Sequence, residues 1–207
     1  NGARVVREKV TLEARDEEVH VRLGEEVHSF DAVVLSSGAW VKELIEPLGY
    51  YVDVRPQKGQ LIELTLETTE DTSKWPVCML HGEIDILPFS DGKILVGATH
   101  ENTQGFDLVP DEELLGGMYE EACASLPSLK NAKRSGVRVG TRAYTSDFLP
   151  FFGEVPNTTN AFVASGLGSS GLTSGVWIGE CLSRMAAGEE VGFSVEKYTP
   201  QNYVRKV

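Results

Sequence analysis

The sequence is poor in cysteine, histidine and basic residues, and it has no long apolar run. Its three cysteines, Cys78, Cys123 and Cys181, stand far apart with no CxxC, and its four histidines, His20, His28, His81 and His100, show no HxxxH spacing. A structural zinc site or a disulfide framework is therefore not expected, and the chain reads as reduced and cytoplasmic. No apolar stretch is long enough to cross a bilayer as a helix. Lys and Arg total 19 against 31 Asp and Glu, a formal net charge of -12. That charge repels a phosphate backbone over most of the surface, so nucleic acid is not an expected partner. The chain has neither an initiating Met nor a signal peptide's basic and apolar regions, and it opens at Asn1 just before a strand-like stretch, which suggests a piece of a longer polypeptide. What remains is an ordinary globular composition, 41% hydrophobic and 24% charged over 207 residues. At this length about 70% of the unfolded surface can be buried.

The patterning predicts alternating strands and helices. Short strands are expected at Val5-Val6, at Val10 and Leu12, over Val19, Val21 and Leu23, and at Ala32-Val33-Val34-Leu35. The last runs into Ser36-Ser37-Gly38-Ala39-Trp40 and a short helix over residues 41–48, stopped by Gly49. A small-residue turn before a helix suits a phosphate or a cofactor carbonyl, and it is equally a common turn. Ile62, Leu64 and Leu66 alternate on one face of a longer strand. Strands at 77–80, 84–87 and 94–96 follow, the last two joined by the hairpin signal Ser90-Asp91-Gly92. A helix over 110–126 carries Leu114, Met118, Ala122 and Leu126 at helical spacing, with Gly116-Gly117 weakening it by about 1 kcal/mol per glycine. A strand through Val137, Val139 and Thr141, a turn at Pro150 and Gly153, a strand over 161–165 and a helix to about Ala187 complete the pattern. Gly171, Gly175 and Gly179 would form one glycine face, open to close approach by a neighbouring backbone. Residues 191–207 are weakly patterned and read as a surface tail.

Gly166, Gly168 and Gly171 spell GxGxxG between a strand and a helix, the local context of a dinucleotide phosphate loop. An NAD-binding unit needs a second parallel strand after the helix, with an acid at its end, and the stretch after Gly188 supplies none; Glu189 and Glu190 follow a helix end. The part of the motif that survives is physical: glycines let a ligand lie against backbone, and free N–H groups at the helix start favour negative charge.

Five features in order carry a resemblance: Ser36-Ser37-Gly38-Ala39-Trp40 after a strand, Pro56-Gln57-Lys58-Gly59-Gln60 opening one, GKILVGAT over 92–99, Gly140-Thr141-Arg142 with Asp147, Pro150 and Gly153, and ASGLGSSGL before the last helix. Together they resemble the second half of the FAD-dependent D-amino-acid oxidase family, particularly its glycine oxidase and D-amino-acid dehydrogenase branches. The resemblance implies an α/β fold of α+β character: a partial FAD-binding domain over 1–50 and 136–190, and a substrate domain over 51–135 with a large, mostly antiparallel sheet flanked by helices. The family's own N-terminal GxGxxG strand is missing from these residues, which implies a fragment that could not hold FAD tightly alone.

The implied activity is oxidation of the C–N bond of glycine, a D-amino acid or an N-alkyl amino acid to an imine, with hydride passing to a non-covalent FAD and electrons leaving to oxygen or another acceptor. No metal and no protein base are implied. By the same resemblance Arg142 would clamp the substrate carboxylate, a task for a planar two-pronged donor. Asp85, His100 and Tyr144 would line the substrate pocket, although each could instead be surface or core; His81 reads as a loop histidine. Val10, Ser36, Ser37, Gly38 and Gly166, Gly168, Ser169, Ser170, Gly171 and Leu172 would contact the cofactor. Two other readings stay open: another flavin dehydrogenase of the superfamily, of hydroxy-acid or glycerol-phosphate type, and a cofactor-free binding domain. Self-association is a further possible partnership.

Overall fold

A computed structural model describes residues 2–80, 82 and 84–207, so His81 lies outside the described residues. Two compact units emerge, one made of the residues up to Arg55 together with Arg142–Val207, the other of Pro56–Thr141. Among the described residues no helix is long and apolar enough to cross a membrane. All three cysteines are free thiols.

The first unit opens with an antiparallel meander of β1 (Val10–Arg15), β2 (Glu18–Leu23) and β3 (Glu26–His28). Then come β4 (Val33–Leu35), a 3-10 turn at Gly38–Trp40, the short helix α1 (Val41–Ile45) and β5 (Tyr50–Val52). Val5 and Val6, expected as a strand, are exposed and lie outside any strand, since two apolar residues without a pairing partner cannot form one.

The second unit contains β6 (Arg55–Thr65) from Pro56 onward, β7 (Cys78–Met79), β8 (Asp85–Pro88), β9 (Lys93–Gly97), helix α2 (Glu112–Ser125) and β10 (Lys133–Tyr144) as far as Thr141, the end of β10 from Arg142 belonging to the first unit. Its five-stranded sheet has the order β10-β6-β9-β8-β7, and β6, β9, β8 and β7 pair antiparallel in turn. The β8–β9 hairpin turns at Asp91 and Gly92, both at positive φ. Gly92 is required there, because a Cβ would sit 2.1 Å from the Leu66 carbonyl oxygen. Strand β6 alternates, so Ile62 and Leu64 enter the core under α2 while Lys58 and Gln60, on the same face, are carried inside with them. Helix α2 starts at a cap: the Asp111 carboxylate accepts from the amides of Glu113 (3.0 Å) and Leu114 (3.1 Å). Its buried stripe is Leu115, Met118, Ala122 and Cys123; of the expected stripe Met118 and Ala122 are buried and Leu126 packs partly buried on the same core, while Leu114 is exposed.

The chain returns to the first unit with β11 (Phe151–Glu154), β12 (Ala161–Ser165), α3 (Gly171–Ala186) and β13 (Val204–Lys206). Strand β12 pairs antiparallel with β11 and parallel with β4. One face packs Phe151 and Val163 into a core with α1 and β5; the other packs Phe152, Phe162 and Ala164 under Ile178, Cys181 and Leu182 of α3. Asn160, buried, stitches the meander to this sheet: its Oδ1 accepts from the Val19 amide (2.7 Å) and its Nδ2 donates to the Val19 and Phe30 carbonyls.

The expected surface tail is a correction. β13 pairs with β5, Tyr203 stacks on Phe151 with centroids 5.0 Å apart, and Val204 is buried. Aromatic and edge-strand contacts, invisible to local periodicity, recruit this segment. Along the glycine face of α3, a Cβ on Gly171 or Gly175 would meet only the Leu167 side chain, and one on Gly179 nothing, among the described residues.

Tyr203 also anchors Asp147, its hydroxyl donating to Oδ2 at 2.9 Å. Desolvation pushes the Asp147 carboxyl up, but hydrogen bonds from the Leu149 amide and the Tyr203 and Thr145 hydroxyls outweigh it and leave the pKa below its usual value. Burial, helped by Asp147, pushes the Tyr203 phenol up to about 12. A depressed carboxyl stabilises the fold above its unfolded pKa and loses that contribution as pH falls through the folded value. Urea unfolding of the parent should therefore weaken from about pH 4 downward, and Asp147→Asn should flatten that decline; equal acid slopes in the two proteins would contradict the assignment.

Candidate active site

Parallel pairing of β4 and β12 brings the ends of both strands to one edge, and the crevice beyond the carboxyl ends of parallel strands is where α/β sheets bind ligands. The turns leaving these strands are 36–38 and 166–170, and the Ser165 hydroxyl ties them by donating to the Gly38 carbonyl at 2.8 Å. Ser36 is exposed; Gly38 takes φ +57°, opening the 3-10 turn. The Ser37 Oγ is buried with no hydrogen-bond partner among the described residues.

Gly166 takes φ +75°, and a Cβ there would lie 2.7 Å from Thr145 Cγ2 and 3.0 Å from the Leu149 carbonyl oxygen. Only glycine fits. The surface it packs on is the turn that Asp147 organises, where the one proton of Thr145 Oγ1 is shared between the Leu149 carbonyl (2.7 Å) and Asp147 Oδ1 (3.1 Å). Gly168, at φ +53°, donates its amide to the Ala143 carbonyl at 2.8 Å, and a Cβ would meet the Tyr144 ring at 3.3 Å. The Ser170 hydroxyl donates back to the Leu167 carbonyl at 2.7 Å, so Ser170 precedes α3 without capping it. The amides of Gly171 and Leu172 consequently have no partner among the described residues, and the Leu172 side chain is 99% exposed. Ser169 is exposed beside them. An orphaned hydroxyl, a backbone cradle that a Cβ would fill and a helix start with open amides are chemically suited to an anionic or carbonyl oxygen ligand.

Tyr144 and Arg142 lie two apart on β10 and so share one face, the face against Gly168. Arg142 is half-buried there, and Tyr144 packs edge-on against Phe148, centroids 4.9 Å apart. Val10 begins β1, paired with Leu23.

In the second unit His100 lines a groove of about 660 Å³ with Ile84, Thr99, Glu101, Leu114 and Met118. The carboxylates sharing that groove are Glu101, Glu113 and Glu121. Asp85 pairs with Gly97 and alternates with Ile86 of the core, so it projects from the sheet face turned away from α2. Sequence reasoning missed the polar cluster behind His100. Lys58 and Gln60 are buried, with Glu101 almost so, and the signal was present in the register: both residues lie in phase with Ile62 and Leu64.

The family profile for FAD dependent oxidoreductases, DAO, matches residues 1–185. The chain belongs to this family. It is 39% identical over 173 residues to the Uncharacterized oxidoreductase YurR of Bacillus subtilis, covering 82% of this chain and 46% of YurR. It is 30% identical over 181 residues to the glycine oxidase of Pseudomonas putida, covering 87% of this chain and 48% of that protein. The crystal structure of iminodiacetate oxidase (IdaA) from Chelativorans sp. BNC1 superimposes with a TM-score of 0.90 at 31% identity, covering 94% of this chain and 53% of that one. Glycine oxidase from Geobacillus kaustophilus, at 22% identity, shares the fold with a TM-score of 0.85, covering 93% of this chain and 51% of its own. The chain thus spans about half the length of these relatives.

As a DAO-family chain it depends on the cradle's glycines in a testable way. Gly166→Ala should destabilise the protein by about 2–4 kcal/mol, from positive-φ strain and overpacking together. Gly179→Ala, in an open helical position, should stabilise this chain by about 0.5–1 kcal/mol. Chemical unfolding of the two variants should separate them in sign.

Proposed function

We propose that these residues carry part of the flavin-facing surface and the substrate lobe of an amine oxidoreductase acting on glycine, a D-amino acid or an N-alkyl amino acid. What carries the reading is that Arg142 lies two residues before Tyr144 on β10, and so on the strand face whose Tyr144 ring lies against Gly168. Relatives named for glycine and iminodiacetate support it, because both compounds join an amine to a carboxylate. Bound non-covalently, FAD supplies the two-electron oxidation of a C–N bond to an imine, which water then hydrolyses.

The chain's own residues bind and orient. Ser36, Ser37 and Gly38, with Gly166 and Gly168 to Leu172, would hold the flavin, and Val10 would offer its backbone to the adenine end. The open amides of Gly171 and Leu172 would donate to a flavin oxygen and favour negative charge beside it. Arg142 would fix the substrate carboxylate with two parallel N–H donors. Tyr144 would form an apolar wall, and Asp85 and His100 would set the polarity of the substrate lobe.

Purified flavin-loaded protein should oxidise sarcosine, glycine or D-alanine with oxygen or a dye as acceptor, and should leave lactate and glycerol phosphate untouched. The full protein is the one to test, since these residues alone are not expected to hold FAD tightly: a full protein that stays colourless with added FAD, or that takes only the alcohols, overturns the reading. Arg142→Ala should raise KM for amino acids about 10- to 150-fold, the loss expected for a charge-assisted pair, and leave KM for simple amines unchanged. Equal effects on both substrate classes would remove the clamp.

A further inference from the structure

The motif Pro56-Gln57-Lys58-Gly59-Gln60 has no role in the reading so far, yet it puts a lysine and a glutamine among the buried side chains of the second unit. Lys58 is 2% exposed and Gln60 fully buried. An ammonium taken out of water is costly unless paired, and an apolar residue in phase with Ile62 would fill the position without that cost. Leu61 pairs with Gly97, and Lys58 bridges Glu101. Between these pairings β6 has Gly59 and Gln60, whereas the facing chain has Ala98, Thr99 and His100. The one extra residue makes a β-bulge, a feature that re-aims side chains.

Both sides of that bulge are tied to β6. Thr99 donates its amide to the Gln60 carbonyl at 3.1 Å, and the Gln60 amide donates to Thr99 Oγ1 at 2.9 Å. Lys58 and Glu101 exchange amide-to-carbonyl bonds of 3.0 and 2.9 Å. Glu101 Oε1 accepts from Gln60 Nε2 at 2.7 Å and from Thr99 Oγ1 at 2.6 Å, and its Oε2 lies 3.8 Å from Lys58 Nζ. The far end of the excursion returns to the same two side chains: Lys58 Nζ donates to the Val109 carbonyl, with Asp107 at 3.8 Å, and Gln60 Oε1 accepts from the Asp111 amide at 2.8 Å, at the cap of α2. His100 therefore sits between two residues that are each locked to β6.

We propose that Lys58 and Gln60, acting through Glu101 and Thr99, are positioning residues that set the bulge and hold His100 in its groove, making the buried pair a determinant of substrate specificity. The specificity clause rests on the reading that His100 belongs to the substrate lobe; the positioning clause does not.

The test compares Lys58→Met, Glu101→Gln and the double variant in the full protein. Each single variant should lose thermal stability, because it strands a buried charge, and the double variant should recover most of that loss. In the double variant the His100 ring signal in a proton–carbon NMR spectrum should move while those of His20 and His28 stay in place. KM for the amino acid should rise about tenfold with kcat within about twofold, and the same pair of substitutions should change KM less than about twofold in a His100→Ala background. An unmoved His100 signal in the folded double variant overturns the positioning role. A KM effect that persists undiminished without His100 overturns the specificity role. If the parent oxidises no amine, a moved His100 signal still upholds the positioning role, and only the flavin reading fails.

Discussion

The parallel register of β4 against β12 is the constraint on which the strand-end edge of the first unit depends. It brings two turns from distant parts of the sequence to one edge, and the Ser165 to Gly38 hydrogen bond holds them there. Everything placed at that edge follows: the orphaned Ser37 hydroxyl, the positive-φ glycines and the uncapped start of α3. Asn160 extends the constraint to the meander by satisfying buried backbone of β2 and the chain before β4, groups that would otherwise lack partners.

Support for the glycine cradle comes from behind. Asp147 accepts three hydrogen bonds at the turn on which Gly166 packs, and Tyr203 delivers one of them from the C-terminal segment. The last residues of the chain thereby stiffen the loop before α3. A rigid backbone presents donors to a ligand at little reorganisation cost, which is what electrostatic stabilisation of a developing charge requires.

The second unit solves a different problem. Its sheet register drives Lys58 and Gln60 into the core, and the unit answers with a bulged excursion whose backbone and carboxylate satisfy them. Apolar packing of Ile62, Leu64 and α2 supplies cohesion there, whereas the polar cluster supplies a unique conformation for the residues around His100.

The sequence by itself determined the elements and their chemistry. Alternation at Ile62, Leu64 and Leu66, the Asp-Gly hairpin, the strand–turn–helix passages at Ser36 and Gly166 and the motif order were all legible, because period, turn residues and glycine tolerance are local properties. The tertiary structure alone decided that Leu115 rather than Leu114 of α2 is buried, that the C-terminal stretch joins β5 instead of trailing as a surface tail, that Asp85 and His100 occupy different settings in the second unit, and that Lys58 is the keystone of a polar core. Those outcomes rest on pairing register and on partners far away in the chain. A buried charge looks like any surface lysine until the residues that neutralise it are brought alongside.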